Sequence, residues 1–285
     1  MTRRFPALAA VLALAACGEP ARDWPAPSPA LWEVSGPQGE KAWLFGTIHA
    51  LPGGVEWRTP AFERAFAASG VVMVEIGNLG DSAAAAQAFT DFATTPGLPP
   101  LSTRVAPADR PALAALMDRA GMDDGDFRDT ETWAAALILN NAVREAASGN
   151  GVDRDLLDDG KPVEALETFA GQFARFDSQS EAGQRQLLAA IVREALVGAE
   201  RERVAAWLIG DLAELERELE GALLGQPALR EALLVDRNSH FATRIAAATE
   251  ARRAPFVAVG AGHMLGPEGL PALLAARGYT VRRVQ

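Results

Sequence analysis

Beyond residue 30 the hydrophobic pattern begins as paired strands. Leu31–Ser35 and Lys41–Phe45 carry the large apolar side chains and flank Gly36-Pro37-Gln38-Gly39, which predicts a hairpin closed by a Gly/Pro turn. Thr59 followed by Pro60 reads as an N-cap with proline at the first helical position. Phe62 and Phe66 then mark one face of a helix that stops at Ser69-Gly70. Val71 to Ile76 is an apolar run interrupted only by Glu75, the mark of a strand buried on both faces. Strand, helix and strand make a βαβ unit, with parallel strands and a right-handed crossover.

The pattern then turns helical. Apolar residues recur at helical spacing over Pro107–Ala120, Thr130–Ala147, Glu181–Leu196, Glu200–Leu219 and Ala228–Glu250. One β-like stretch, Pro162–Leu166, interrupts them. The chain closes with a strand at Pro255–Val259, a Gly-rich loop, a helix at Gly269–Ala276 and a strand at Thr280–Val284. These elements predict an α/β fold: a mixed, mainly parallel sheet built from N- and C-terminal βαβ units, with a large helical insertion. Residues 31–80 and 251–285 supply the sheet units and 81–250 the mostly helical part.

The first thirty residues follow other rules. Arg3 and Arg4 precede an apolar run from Ala7 to Ala16, a signal for export that is too short to span a bilayer. It ends in Leu14-Ala15-Ala16-Cys17, which resembles a bacterial lipobox and implies lipidation of Cys17. Residues 1–17 are thus expected to be a signal peptide, and 18–30, with four prolines, an extended tether. The expected location is the cell envelope, on a membrane through the Cys17 lipid. Gly18 in place of an aspartate points to the outer membrane, facing the periplasm, in a Gram-negative cell. Cys17 is the only cysteine, so no intramolecular disulfide and no thiolate metal cluster can form. The net charge is −10, and −12 once Arg3 and Arg4 leave with the signal; without a basic run, nucleic acid is excluded as a partner.

The two ends of the chain share a motif. Gly46-Thr47-Ile48-His49-Ala50-Leu51 follows the first sheet unit's strand, and Gly260-Ala261-Gly262-His263-Met264-Leu265 follows the late one. The chain has three histidines, and this Gly-x-x-His frame contains two of them. Both lie just past the carboxyl ends of predicted parallel strands, as does Glu75, and ligands of open α/β sheets bind along that edge. Two imidazoles and a carboxylate suit a divalent metal with open positions for water. Such a metal lowers the pKa of its water and creates a nucleophile near neutral pH. Neither a Gly-x-Ser-x-Gly elbow nor a phosphate-binding loop occurs.

Other polar residues admit more than one reading. Arg237 can steady developing negative charge or pair with nearby acids. Glu167 can be a ligand, a general base or an acid at a helix start, and Glu164 sits in the short strand beside it. Asp153 can belong to the site edge, whereas Asp155, Asp158 and Asp159 read as a solvated face. His240 lacks the Gly-x-x-His frame and reads as a structural or surface residue. Trp43, Trp57, Trp133 and Trp207 fall at apolar positions and read as core.

From about Leu31 to the C-terminus the chain resembles the TraB/GumN family, which includes the pheromone-shutdown proteins and the Tiki proteases. The resemblance rests on Gly46–His49, Val74-Glu75, Gly260–His263 and Gly278-Tyr279. Gly151-Val152-Asp153, Val163–Thr168 and Arg237-Asn238 add to it. It implies a fold related to the erythromycin-esterase and ChaN-like proteins. It also implies a metal-dependent peptidase using manganese or cobalt; the ligand types alone admit zinc as well. On this reading His49, His263 and Glu75 hold the metal, Glu75 and Arg237 serve catalysis, and the substrate is a peptide or small molecule. The competing expectation is a non-enzymatic lipoprotein that binds a peptide or haem at the same edge, which the fold permits.

Overall fold

The computed structural model describes residues 24–145, 151–157, 159–197, 200–221 and 225–285. Cys17, the signal segment, the first part of the tether and Asp158 lie outside them. Strands β1 (Leu31–Ser35) and β2 (Lys41–Thr47) form the expected antiparallel hairpin, with Leu31 opposite Phe45 and Ser35 opposite Lys41. Helix α1 (Pro60–Ala68) starts as the sequence predicts: Thr59 Oγ1 accepts the Phe62 N–H at 3.1 Å. Strand β3 (Val71–Val74) is shorter than its apolar run and ends just before Glu75.

Helices α2 (Ser82–Ala93), α3 (Arg110–Ala120), α4 (Thr132–Glu145) and α5 (Val152–Leu157) precede a short strand β4 (Val163–Ala165). Helices α6 (Phe169–Asp177) and α7 (Glu181–Val197) follow. The helical pattern over Glu200–Leu219 proves to be two helices, α8 (Glu200–Leu208) and α9 (Leu212–Leu219). Gly210 takes the left-handed conformation (φ +65°), and Asp211 then caps α9 by accepting the Glu214 N–H at 3.0 Å. The long helix near the C-terminus is α10 (Pro227–Arg230), a π-helical turn at Glu231–Val235 and α11 (Asp236–Glu250). Strand β5 (Pro255–Gly260), helix α12 (Leu270–Ala276) and strand β6 (Thr280–Arg283) complete the chain.

The fold is α/β, around one six-stranded sheet in the order β4-β3-β5-β2-β1-β6. Pairings β2–β5, β5–β3 and β3–β4 are parallel, whereas β1 pairs antiparallel with β2 and β6. The late strand β5 therefore lies between β2 and β3, which the order along the chain does not reveal. Thr47 is level with Gly260, and Val74 with Ala258.

Alternate side chains of these strands enter two different cores, as a twofold strand period requires. Trp43, Phe45, Val72, Phe256 and Ala258 pack on one face with Phe62, Phe66 and Trp207; Leu44, Met73, Val257 and Val259 pack on the other with Phe241, Ile245 and Leu274. A third core joins α3, α4 and α7 through Leu113, Trp133, Leu139 and Leu188. The four tryptophans read as core are all buried. Trp207 also donates its indole N–H to the Gly46 carbonyl at 2.7 Å, tying α8 to the end of β2.

The described part of the Pro-rich stretch is extended but docked. Ala30 is buried, Trp24 packs at the edge of the first core, and the Ser28 N–H bonds Leu208 O at 2.7 Å. The Ser28 N–H and Trp24, which lies under the Arg201 guanidinium, bind it to α8 even though it forms no helix or strand. Among the described residues no helix is long and apolar enough to cross a membrane.

Phe45 touches Trp57, Phe62, Trp207 and Phe256, with ring centroids 5.1 to 6.3 Å apart. Phe45→Ala is expected to lower stability by about 3–5 kcal/mol through lost burial and a cavity, as read from urea unfolding. A loss under about 1 kcal/mol would mean that this cluster is not the keystone of its core.

Candidate active site

The parallel register places three chain segments side by side at the carboxyl edge of the sheet. The loop after β2 carries His49, the turn after β5 carries His263, and Glu75 follows β3. Close approach, more than turning, explains the glycines, since neither Gly46 nor Gly260 has a positive φ. A methyl group on Gly260 would stand 3.3 Å from Glu75 Oε1 and 3.4 Å from His49 Nε2, in the space that these two atoms border. Gly151 is constrained in the same way: a Cβ there would run into the carbonyl of His49. The Val152 N–H also bonds Ile48 O at 3.1 Å, so the start of α5 is laid along the His49 loop.

This seating brings Asp153 to the site. Its Oδ2 meets His49 Nδ1 at 2.8 Å, and its Oδ1 accepts the Thr47 hydroxyl at 2.5 Å. Because an ionised carboxylate only accepts, the contact assigns the proton to His49 Nδ1 and turns Nε2 toward Gly260 and Glu75. His263 is held in the same sense from another direction. Asn238 donates its amide to Glu268 O at 2.7 Å, which leaves its Oδ1 to face His263 Nδ1 at 2.5 Å. His263 Nε2 then lies 3.7 Å from Glu75 Oε1. The two imidazoles differ in access, with side-chain exposures of 61 % for His49 and 7 % for His263.

Glu75 is a largely enclosed carboxylate, 13 % exposed, with both oxygens engaged. Oε1 accepts the Gly260 N–H at 2.7 Å, and Oε2 accepts from Arg237 Nη2. The same guanidinium bonds both oxygens of Glu167 and donates to Leu233 O at 3.1 Å. Arg237 thus takes the ion-pair arrangement, and Glu167 is its second anion. Arg237 and Asn238 follow directly on the π-helical turn, a feature common near functional sites. Burial opposes the charged form of Glu75. The positive charges of His263 when protonated, of Arg237 and of His49 overcome it, with the Gly260 N–H, and hold the carboxyl well below its ordinary range. Burial pushes His263 down to about 4, so at neutral pH it is uncharged and Arg237 remains the fixed positive charge.

The remaining candidates stand apart. Glu164 pairs with Arg244 and Arg253, each at 2.6 Å. His240 is exposed on α11. Asp159 pairs with Arg58 at 2.5 Å, and Asp155 is exposed. Sequence reasoning left Asp153 as a candidate edge residue and placed Asn238 only in a family-like motif, without a role; the signal was their place directly beside Gly151-Val152 and Arg237.

The three side chains form the floor of a cavity of about 400 Å³, walled by α4, α6, α7, α8, α9 and the π-helical turn. By type, two imidazole nitrogens and a carboxylate oxygen fit a divalent cation. Their spacing is open: among the described residues no three His, Cys, Asp or Glu side chains stand together as a group that could hold a metal ion.

The depressed pKa of His263 has a consequence for stability. The unfolded chain takes up this proton near 6.5 and the folded protein only near 4, so the unfolded state binds more protons between those values. Stability therefore rises with pH across that window and is lost as pH falls through it, by about 3 kcal/mol in all. Urea unfolding at stepped pH is expected to show this slope and to show it flattened in His263→Gln. An equal slope in both proteins would assign it elsewhere.

The TraB/PrgY/gumN family profile matches residues 30–283, a span that holds the sheet, both Gly-x-x-His loops, Glu75, Asp153 and the Arg237-Asn238 pair. No curated protein and no solved structure matches the chain. The match over this span leads to one conclusion: the chain belongs to the TraB/PrgY/gumN family.

Proposed function

We propose that the protein is a metal-dependent hydrolase of the peptidase class, held at the cell envelope by a lipid on Cys17. One observation carries this reading. Asp153 and Asn238 each engage Nδ1 of a histidine, so that both Nε2 atoms are presented beside Glu75 at the floor of one cavity. Metal-ligating histidines almost always have such a partner on the second ring nitrogen. His49, His263 and Glu75 would hold the ion. When bound, manganese, cobalt or zinc supplies a Lewis acid and a water of lowered pKa.

The chain's own residues do the positioning. Arg237 and the Gly260 N–H keep Glu75 ionised and fix its two oxygens. Asp153 orients the accessible imidazole and Asn238 the buried one. An oxyanion role for Arg237 requires its guanidinium to release a carboxylate, so the geometry favours its acting through Glu75. The leader and the lipobox cysteine support the envelope location, and the resemblance to Tiki proteases supports the reaction class.

A second reading, a non-enzymatic binding protein for a peptide or haem, is favoured by the engagement of both Glu75 oxygens and by the open spacing of the ligands.

Metal titration by calorimetry separates the two. Stoichiometric manganese, cobalt or zinc is expected in the parent protein, and none in His49→Ala or His263→Ala. Asp153→Asn is expected to weaken binding about 10–100-fold. Peptide cleavage should stop with a chelator and persist with a serine-protease inhibitor. A parent protein that takes up none of the three metals would sink the hydrolase and leave the binding protein.

A further inference from the structure

The walls of the cavity differ from its floor. Leu137, Phe176, Leu187, Ile191, Leu219 and Leu233 line it from α4, α6, α7, α9 and the π-helical turn. One charged group interrupts this apolar surface. Arg203 on α8 donates to Glu218 on α9 at 2.6 Å and to Glu194 on α7 at 2.5 Å, and all three side chains line the cavity. One guanidinium between two carboxylates leaves one negative charge on the wall. Arg203 stands one helical turn, about 6 Å, before Trp207 on α8, and Trp207 is bonded to the end of β2. The group thus shares one cavity with the sheet edge that carries the histidines.

We infer that the cavity takes a short peptide with a bulky apolar side chain against the leucine wall and a positively charged group at Glu194–Arg203–Glu218. The inference rests on the proposed reading of the floor as a peptide site. A volume of about 400 Å³ holds a few residues, within the usual range for small-ligand cavities. Apolar side chains gain by leaving water there. A residual negative charge among apolar neighbours attracts a cation and repels a carboxylate more strongly than it would on an open surface. Glu194 and Glu218 are then specificity-determining residues, and Arg203 positions them.

The test is calorimetry on metal-free protein with three acetylated tripeptide amides that share two apolar residues and end in lysine, norleucine or glutamate. The expected order of affinity is lysine, norleucine, glutamate, with about tenfold or more between the first and the last. Added salt should narrow the gap. The double substitution Glu194→Gln with Glu218→Gln should remove the lysine preference and leave the norleucine peptide unaffected. Ala190→Trp, which places a large ring at the cavity wall, should weaken all three. Salt dependence in the unaltered protein serves as the charge test should a variant fail to fold. Equal affinities, or a preference for glutamate, would overturn the inference. Binding in the expected order without cleavage under any metal would support it while removing the hydrolase. No peptide binding by a protein that binds metal through His49 and His263 would do the reverse.

Discussion

Everything at the candidate site depends on the parallel pairing of β2 with β5. The two Gly-x-x-His loops lie near opposite ends of the chain, and only this pairing sets them side by side. Insertion of β5 between β2 and β3 also decides what Glu75 faces. Its Oε1 accepts the N–H of Gly260, the last residue of β5, so the carboxylate reads the end of that strand directly. The missing side chain at Gly260 matters for the same reason: a Cβ there would press to 3.3 Å from Glu75 Oε1 and 3.4 Å from His49 Nε2. The site is thus a property of strand order before it is a property of any one residue.

A second constraint is electrostatic. A buried carboxylate is costly unless it is paired and hydrogen-bonded. Glu75 meets this condition through Arg237, a guanidinium that also satisfies Glu167. The neutral state of His263 at ordinary pH follows from the same burial. The floor therefore combines a fixed carboxylate, a fixed guanidinium and two imidazoles whose protons are directed outward, to Asp153 and to Asn238. Arg203 repeats the motif of one arginine between two glutamates on the wall, where no histidine accompanies it.

Much of this was legible in the sequence wherever the signal was local. The hairpin, the Thr59 cap and the two Gly-x-x-His loops declare themselves over a few residues, and Glu75 stands out because it interrupts a buried strand. Signals that need a partner from afar did not. The break between α8 and α9 is written in Gly210-Asp211, but helical spacing on both sides hid it. Asp153 reads only as a candidate edge residue until the packing of Gly151 against His49 shows that it reaches an imidazole. Arg237 and Glu167 each carried more than one reading because only the fold reveals that they bind each other. The Pro-rich stretch looked free because composition reports the absence of a helix or strand, whereas docking depends on Ser28 and Trp24 meeting α8 and on Ala30 entering the second core.

The central claim is that both site histidines carry their proton on Nδ1 and turn Nε2 toward Glu75. Nitrogen-15 NMR of the imidazoles in metal-free protein tests it directly. The pH should be about 8, above the ordinary histidine range near 6.5. The account predicts the Nδ1–H tautomer for both His49 and His263, with His49 losing its preference in Asp153→Ala and the exposed His240 serving as the reference. An Nε2–H tautomer at either site histidine would contradict it, because that nitrogen could then offer no lone pair beside Glu75.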